Sequence, residues 1–284
     1  MSYLTLDPKK TPTPKLHAYL QGAIAPRPIA FASSIDKNGI ANLSPFSFFN
    51  LFSTKPPILI FSPSRRIRDN TVKHTLENVL EVPEVVINIV SYSMVEQASL
   101  ASCEYPKGVN EFEKAGFTEL PSEIVKPPRV AESPASFECK VNQVISLGNE
   151  GGAGNLIVCE ILLAHFKEDI LDPSKNVDPQ KLDAVARMGG DYYCRAHGEN
   201  IFTVPKPNTT LGIGFDQLPE KVRNSKILTG NDLARLADVE KLPSVEGSIN
   251  KGSVDEETLH RLAKKLLADG KVEEAWKVLL HSKS

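Results

Sequence analysis

The chain has 284 residues, 41% hydrophobic and 24% charged, enough for one large domain or a domain of about 200 residues with an appendage. Thirty-three Lys and Arg stand against 35 Asp and Glu, a formal charge of −2, so bulk charge draws the chain to neither nucleic acid nor an anionic membrane. No apolar run approaches the ~18–20 residues of a membrane span, and the first ten residues lack the basic-then-apolar order of a signal peptide; the expectation is a cytoplasmic globular protein.

Residues 1–27 carry Pro8, Pro12, Pro14 and Pro26, read as breaks against any long regular element. Residues 28–35 predict a strand, Asp36-Lys37-Asn38-Gly39 a tight turn, and 40–43 the returning strand. The stretch 44–50 is too rich in Ser and Pro for a helix and too aromatic for an idle surface loop. Pro56-Pro57 opens a central strand over 58–62. Val72, Leu76, Val79 and Leu80 repeat at helical spacing, predicting a helix over 70–81 that Pro83 ends. Residues 85–90 are β-branched almost throughout and read as a strand. Short helical pieces follow at 94–102 and 109–115, then a Pro-rich extended crossing over 119–134. Two long strands, 137–147 and 155–167, flank a Gly-rich run at 148–154 that reads as a hairpin loop.

After 187–193 the texture changes. Residues 203–250 read as loop, and 254–282 as two amphipathic helices about Asp269-Gly270. Their stripes, with Leu259, Leu262 and Leu266 on one and Val272, Trp276 and Leu279 on the other, must be covered; docking on the barrel or a twin subunit is expected. The pattern predicts a mainly β fold, an antiparallel sheet or barrel with peripheral helices over 1–200, and a C-terminal extension over 201–284 carrying the helical hairpin.

Local motifs exclude several chemistries. Cys103, Cys139, Cys159 and Cys194 form no C-x-x-C pair, and the six His show no metal-binding spacing, so no metal is expected. Neither a G-x-S-x-G elbow nor a P-loop is present. What stands out in a nearly neutral chain is a basic cluster, Arg65, Arg66, Arg68, Lys73 and His74, between a buried strand and a helix start. Guanidinium groups beside free backbone N–H groups suit a phosphate; a solvated basic face is the competing reading. The alternation of Ser and Phe in 44–50 could hydrogen-bond a planar heteroaromatic ring or simply fill a core.

The segments Pro26-Arg27-Pro28-Ile29-Ala30 and Asn42-Leu43-Ser44-Pro45-Phe46-Ser47-Phe48-Phe49-Asn50 resemble the opening of the flavin reductase-like, FMN-binding split-barrel family. Lys73-His74-Thr75-Leu76-Glu77-Asn78, Val86-Ile87-Asn88, Lys126-Pro127-Pro128-Arg129-Val130, Glu132-Ser133-Pro134 and Arg187-Met188-Gly189-Gly190-Asp191-Tyr192-Tyr193 continue the likeness in order across about residues 15–196. His74 departs from it, standing where relatives often carry Asp. The resemblance implies a six-stranded antiparallel split barrel that forms homodimers, with FMN near the subunit interface. It implies that Ser44, Pro45, Phe46, Ser47 and Phe48 face the isoalloxazine, with Asn42 and Ser33 lining the same pocket. Ser62, Arg65, Arg66, Thr71, Lys73 and Thr75 become candidates for the ribityl chain and phosphate, and Arg187, Asp191 and Tyr192 for the substrate side. The implied activity is electron transfer from NADH or NADPH through FMN to a small-molecule acceptor, the cofactor carrying the electronics so that no catalytic dyad is required. An oxygenase component and an electron carrier without nicotinamide activity are the alternatives.

Overall fold

Alternation builds the first hairpin. In β1 (Ala30–Ile35) the side chains of Ala30 and Ala32 join one apolar cluster and those of Phe31 and Ile35 another, on opposite faces. β1 pairs antiparallel with β2 (Ala41–Phe46) through a turn in which Gly39 takes a φ of 83°. β2 runs three residues past the expected 43 because, at the end of the sheet, Pro45 has no second ladder to serve.

The computed structural model describes residues 1–207, 211–243 and 254–280. They fall into two compact units, Met1–Phe202 and Thr203–Ser284. The first contains α1 (Thr13–Ala23), β3 (Phe49–Thr54), β4 (Pro57–Phe61), α2 (His74–Glu81), β5 (Glu84–Ile89), α3 (Val95–Leu100) and α4 (Glu111–Ala115). The two-residue strands β6 (Glu119–Leu120) and β7 (Arg129–Val130) pair across the Pro-rich crossing. The long strands β8 (Ala135–Ser146) and β9 (Asn155–Phe166) follow, then α5 (Pro179–Leu182) and the small hairpin β10 (Val185–Arg187) and β11 (Tyr193–Arg195).

Seven strands form one antiparallel sheet in the order β2-β1-β5-β8-β9-β4-β3, one more than the six implied by the resemblance. The additional strand is β3, whose residues are mostly exposed and so give no apolar alternation to read. Its place closes the architecture. β2 ends at Phe46 and β3 begins at Phe49, yet they lie at opposite ends of the sheet. Two intervening residues span at most roughly 10 Å, so the sheet must curl until its ends nearly meet, with the split at Ser47–Phe48. Phe46, Phe61, Ile87, Cys139 and Ile157 fill the interior, which α2 covers with Leu76 and Val79. On the outer face Phe31 and Leu43 pack with Met94, Ala98, Phe112 and Phe117.

Two helical expectations need correction here. α1 lies within the lead-in read as Pro-broken, since Pro14 sits in the first turn, where its missing N–H had no partner to lose. α1 buries none of its residues; it is moored instead by Arg27, whose guanidinium donates to the carbonyls of Gln21 (2.6 Å), Ile24 and Met188 (2.8 Å). α2 starts at His74 rather than near 70, leaving 71–73 outside the helix with Lys73 extended.

In the second unit, the stretch read as loop contains α6 (Glu220–Arg223) and α7 (Gly230–Ala237). α7 is announced by a capping box between Thr229 and Asp232. The helical hairpin is α8 (Glu256–Ala268) and α9 (Val272–Leu280), turning at Gly270 with φ 76°. Its apolar stripes, expected to dock on the barrel or a twin subunit, pack within this unit against Leu218, Leu233 and Leu236, while Leu262 stays exposed. Trp276 is fully buried and donates from Nε1 to the Leu236 carbonyl at 3.0 Å. The expected helix end at 281–282, and residues 208–210 and 244–250 of the expected loop, lie outside the described residues. Among the described residues no helix is long and apolar enough to cross a membrane.

Candidate functional site

β2 presents Asn42, Ser44 and Phe46 to one face, because alternate residues of a strand share a side. Phe46 is spent on the barrel interior, 5.3 Å from the ring of Phe61. Asn42 and Ser44 line a narrow cleft together with Arg66, Lys73 and Thr75. Sequence positions more than thirty residues apart thus converge where β2, the 62–73 loop and the start of α2 meet. Ser33 does not join them. It faces the side of β1 occupied by Phe31 and Ile35, away from Asn42, and its buried hydroxyl has no hydrogen-bond partner among the described residues. The alternation that brings Asn42 inward turns Ser33 outward, and Ser34 accepts from Asn78 of α2 instead.

The floor of the cleft is a buried chain of hydrogen bonds. Thr75 Oγ1 donates to Asn42 Oδ1 at 2.8 Å, and Asn42 Nδ2 donates to both oxygens of Glu111 at 3.0 and 2.9 Å. The Leu43 amide donates to the same carboxylate at 2.9 Å. Burial nevertheless pushes the Glu111 carboxyl above its usual range, against these stabilising donors. This residue escaped sequence reading, since a Glu in the first turn of a short helix looks like an exposed, dipole-favoured position.

The basic loop is organised by its own members. Arg65 donates from Nε to Asn70 Oδ1 and from Nη2 to the Asn70 carbonyl, each at 2.7 Å, so it shapes the loop and does not line the cleft. Thr71 Oγ1 donates to Asp69 at 2.6 Å and accepts from Arg66 Nη1 at 2.8 Å. Arg66 also donates to the Val72 carbonyl at 2.6 Å, which aims its Nε at Glu104 Oε1, 3.0 Å away. Arg68 holds the other oxygen of Glu104. Two guanidinium groups of the cluster thus clamp a carboxylate, the chemistry a phosphate would use. Lys73, half-buried in the lining, makes no ion pair with any described residue; desolvation and then Arg66 lower its pKa. Cys103, Glu104 and Tyr105 form the remaining wall, and His74 Nε2 lies 3.3 Å from the Tyr105 carbonyl. No sequence motif marked that wall.

The Gly-rich run is a hairpin loop that seats the basic loop. The Arg65 amide donates to the Ala153 carbonyl and the Gly152 amide to the Arg65 carbonyl, at 2.8 and 2.9 Å. A Cβ at Gly151 would lie 3.0 Å from the Arg66 carbonyl, and one at Gly154 would lie 2.7 Å from Ser62 Oγ. Glycine is needed here for backbone approach to residues 62–67. Ser62 is accordingly buried beside Gly154, its amide donating to the Phe48 carbonyl at 2.8 Å. Pro45 and Ser47 are partly exposed, and Phe48 is 38% exposed at the split, edge-on to His17 of α1.

Arg187 and Asp191 line a separate cavity of about 400 Å³ with Tyr92, Glu96, Tyr193 and Arg195. Guanidinium groups stack on rings there, Arg187 4.6 Å from the centroid of Tyr193 and Arg195 3.9 Å from that of Tyr92. Tyr192 is 77% exposed and outside the lining. No residue lines both this cavity and the cleft at Asn42.

A curled antiparallel sheet split beside a basic cleft defines a class of barrel proteins, and the comparisons narrow it. The chain belongs to the flavin reductase-like family, whose domain model matches residues 23–179. It is 42% identical over 191 residues to an uncharacterized protein of Aquifex aeolicus, covering 67% of this chain and 95% of that protein. Nitrilotriacetate monooxygenase component B from Bacillus cereus shares the fold with a TM-score of 0.67 at 28% identity, over 72% of this chain and all of that one. The 2-nitrobenzoate 2-nitroreductase NbaA of Pseudomonas fluorescens gives 0.64 at 25% identity, over 74% of this chain and all of its own. None of these matches covers the whole of this chain.

Proposed function

We propose that the protein is an FMN-dependent oxidoreductase that passes electrons from NADH or NADPH through bound flavin to a small-molecule acceptor. The observation that carries the reading is the cleft in which Asn42, Ser44, Arg66, Lys73 and Thr75 converge, with a clamped carboxylate and an ammonium that no described residue pairs in its walls. That donor set fits a flavin phosphate. Arg66 and Lys73 would hold the phosphate, Thr75 and Ser62 the ribityl end, and segment 44–48 would border the ring at the split of the barrel. When bound, flavin supplies hydride and electron transfer chemistry. The chain's part is to bind and orient it: the Glu111–Asn42–Thr75 chain fixes the floor, and the glycine loop fixes the arginines. Arg187 and Asp191 are proposed for the acceptor side.

The test begins with the absorption spectrum of protein mixed with FMN, followed by anaerobic addition of NADH or NADPH. Bleaching of bound flavin is expected with one donor or both. Bound flavin that neither donor bleaches would favour a carrier without nicotinamide activity. Arg66→Ala and Lys73→Ala should each weaken FMN more than riboflavin, by about 1.5–3 kcal/mol for the better-placed side chain. Equal losses for the two flavins would move the phosphate elsewhere.

A further inference from the structure

We propose that Glu104 is an internal competitor for the flavin phosphate: its carboxylate closes the cradle by holding Arg66 and Arg68, and a bound phosphate must take its place. The inference rests on the assignment of the FMN phosphate to this loop. Glu104 comes from a different part of the chain, the turn after α3, and reaches both guanidinium groups, one through each oxygen. Arg66 gives the carboxylate its Nε and Arg68 its Nη2, and a phosphate oxygen would draw on the same N–H donors, so the two anions compete for them. The exchange requires only a side-chain rotation. Glu104 is exposed, and the bonds that hold its turn, the amides of Ser102 and Cys103 to the carbonyls of Ser99 and Leu100 and the Ser102 hydroxyl to the Ser99 carbonyl, do not use its carboxylate. The other charged groups around it leave the outcome to this competition. Asp69 holds Arg68 through Nε at 3.0 Å, Glu111 is engaged by Asn42, and Lys73, which feels the Glu104 charge, makes no ion pair with any described residue. Arg68 and Arg66 hold the Glu104 carboxyl below its usual range, so it competes as an anion at neutral pH.

The consequence is specific to the phosphate. Riboflavin has nothing to exchange with Glu104, whereas FMN gains from Arg66 only what remains after Glu104 is released to water. Glu104 thereby lowers the preference for FMN over riboflavin and keeps bound FMN exchangeable.

The experiment titrates the full-length wild type, Glu104→Gln, Glu104→Ala and Arg66→Ala with FMN and with riboflavin by flavin fluorescence, and measures FMN dissociation by dilution. Both Glu104 variants should tighten FMN roughly three- to tenfold, the range that releasing the two ion pairs of an exposed carboxylate supports. They should slow its dissociation and leave riboflavin unchanged. FMN affinity unaltered or weakened in both Glu104 variants, with Arg66→Ala still selective for FMN, would overturn the competition while leaving the phosphate site standing. If Arg66→Ala weakens both flavins alike, the phosphate lies elsewhere and the inference falls with the site.

Discussion

Glu111 ties α4 to β2 with one side chain and reaches α2 through Asn42, and its removal should be costly. Glu111→Ala leaves Asn42 Nδ2 and the Leu43 amide without their acceptor in a buried setting, an expected loss of about 1–3 kcal/mol measured by urea unfolding. Its raised pKa adds a pH signature. A carboxyl that holds its proton more tightly when folded gives the native state more bound protons between the usual 4.5 and the raised value, so stability falls as pH rises through that interval. Glu111→Gln should abolish that part of the slope when its pH–stability profile is subtracted from the wild type's. The cysteines make a second residue-scale test. Burial pushes the Cys139 thiol up to about 12 and the Cys159 thiol well above its usual value, whereas Cys103 is exposed. At pH 8 a thiol reagent should modify Cys103 rapidly and reach Cys139 and Cys159 only on unfolding; fast reaction of all of them would contradict the packed barrel interior.

Among elements, the Gly-rich hairpin makes the sharpest prediction. Gly151→Ala places a methyl 3.0 Å from backbone atoms of Arg66 and Ile67, so either the loop or the hairpin must give way. FMN affinity should fall more than riboflavin affinity, with Gly148→Ala, whose new methyl would meet only the Ala153 side chain at 3.3 Å, as the milder control. The elements read correctly from sequence are those with alternation, a β-branched run or helical period, such as β1, β5, β8, β9 and the C-terminal helices. β3 was missed because neither of its faces is buried, so no period existed to detect. α7 was legible in principle from Thr229 and Asp232 at capping-box spacing ahead of Leu233 and Leu236, a signal lost among flanking Pro and Gly. The basic cluster was legible as charge. Its partner Glu104 and the buried floor at Glu111 were not, because contacts 36 to 69 residues apart leave no local pattern.

At the scale of the molecule, the end strand β3 carries Leu51 and Phe52 at 51% and 64% exposure. A strand edge with apolar side chains invites pairing with a second copy about a two-fold axis. Light scattering should therefore give twice the 31.1 kDa chain mass at micromolar concentration, and Phe52→Lys should shift the population toward monomer. A wild type that stays monomeric at that concentration would sink the idea. The second unit has its own core around Trp276, the only tryptophan, whose emission should be blue-shifted and resistant to iodide. Trp276→Ala should cost that unit about 3–5 kcal/mol, and ending the chain at residue 202 should leave FMN titration intact.

The mooring of α1 has a dynamic consequence. Detaching a helix that buries none of its residues uncovers little apolar surface; what resists is chiefly the Arg27 guanidinium, which sits beside Arg187 in the same backbone bridge, with the edge contact of His17 on Phe48. Amide protons of α1 should accordingly exchange with deuterium through brief local openings, orders of magnitude sooner than those of β5 and β8, which wait for the barrel itself to unfold.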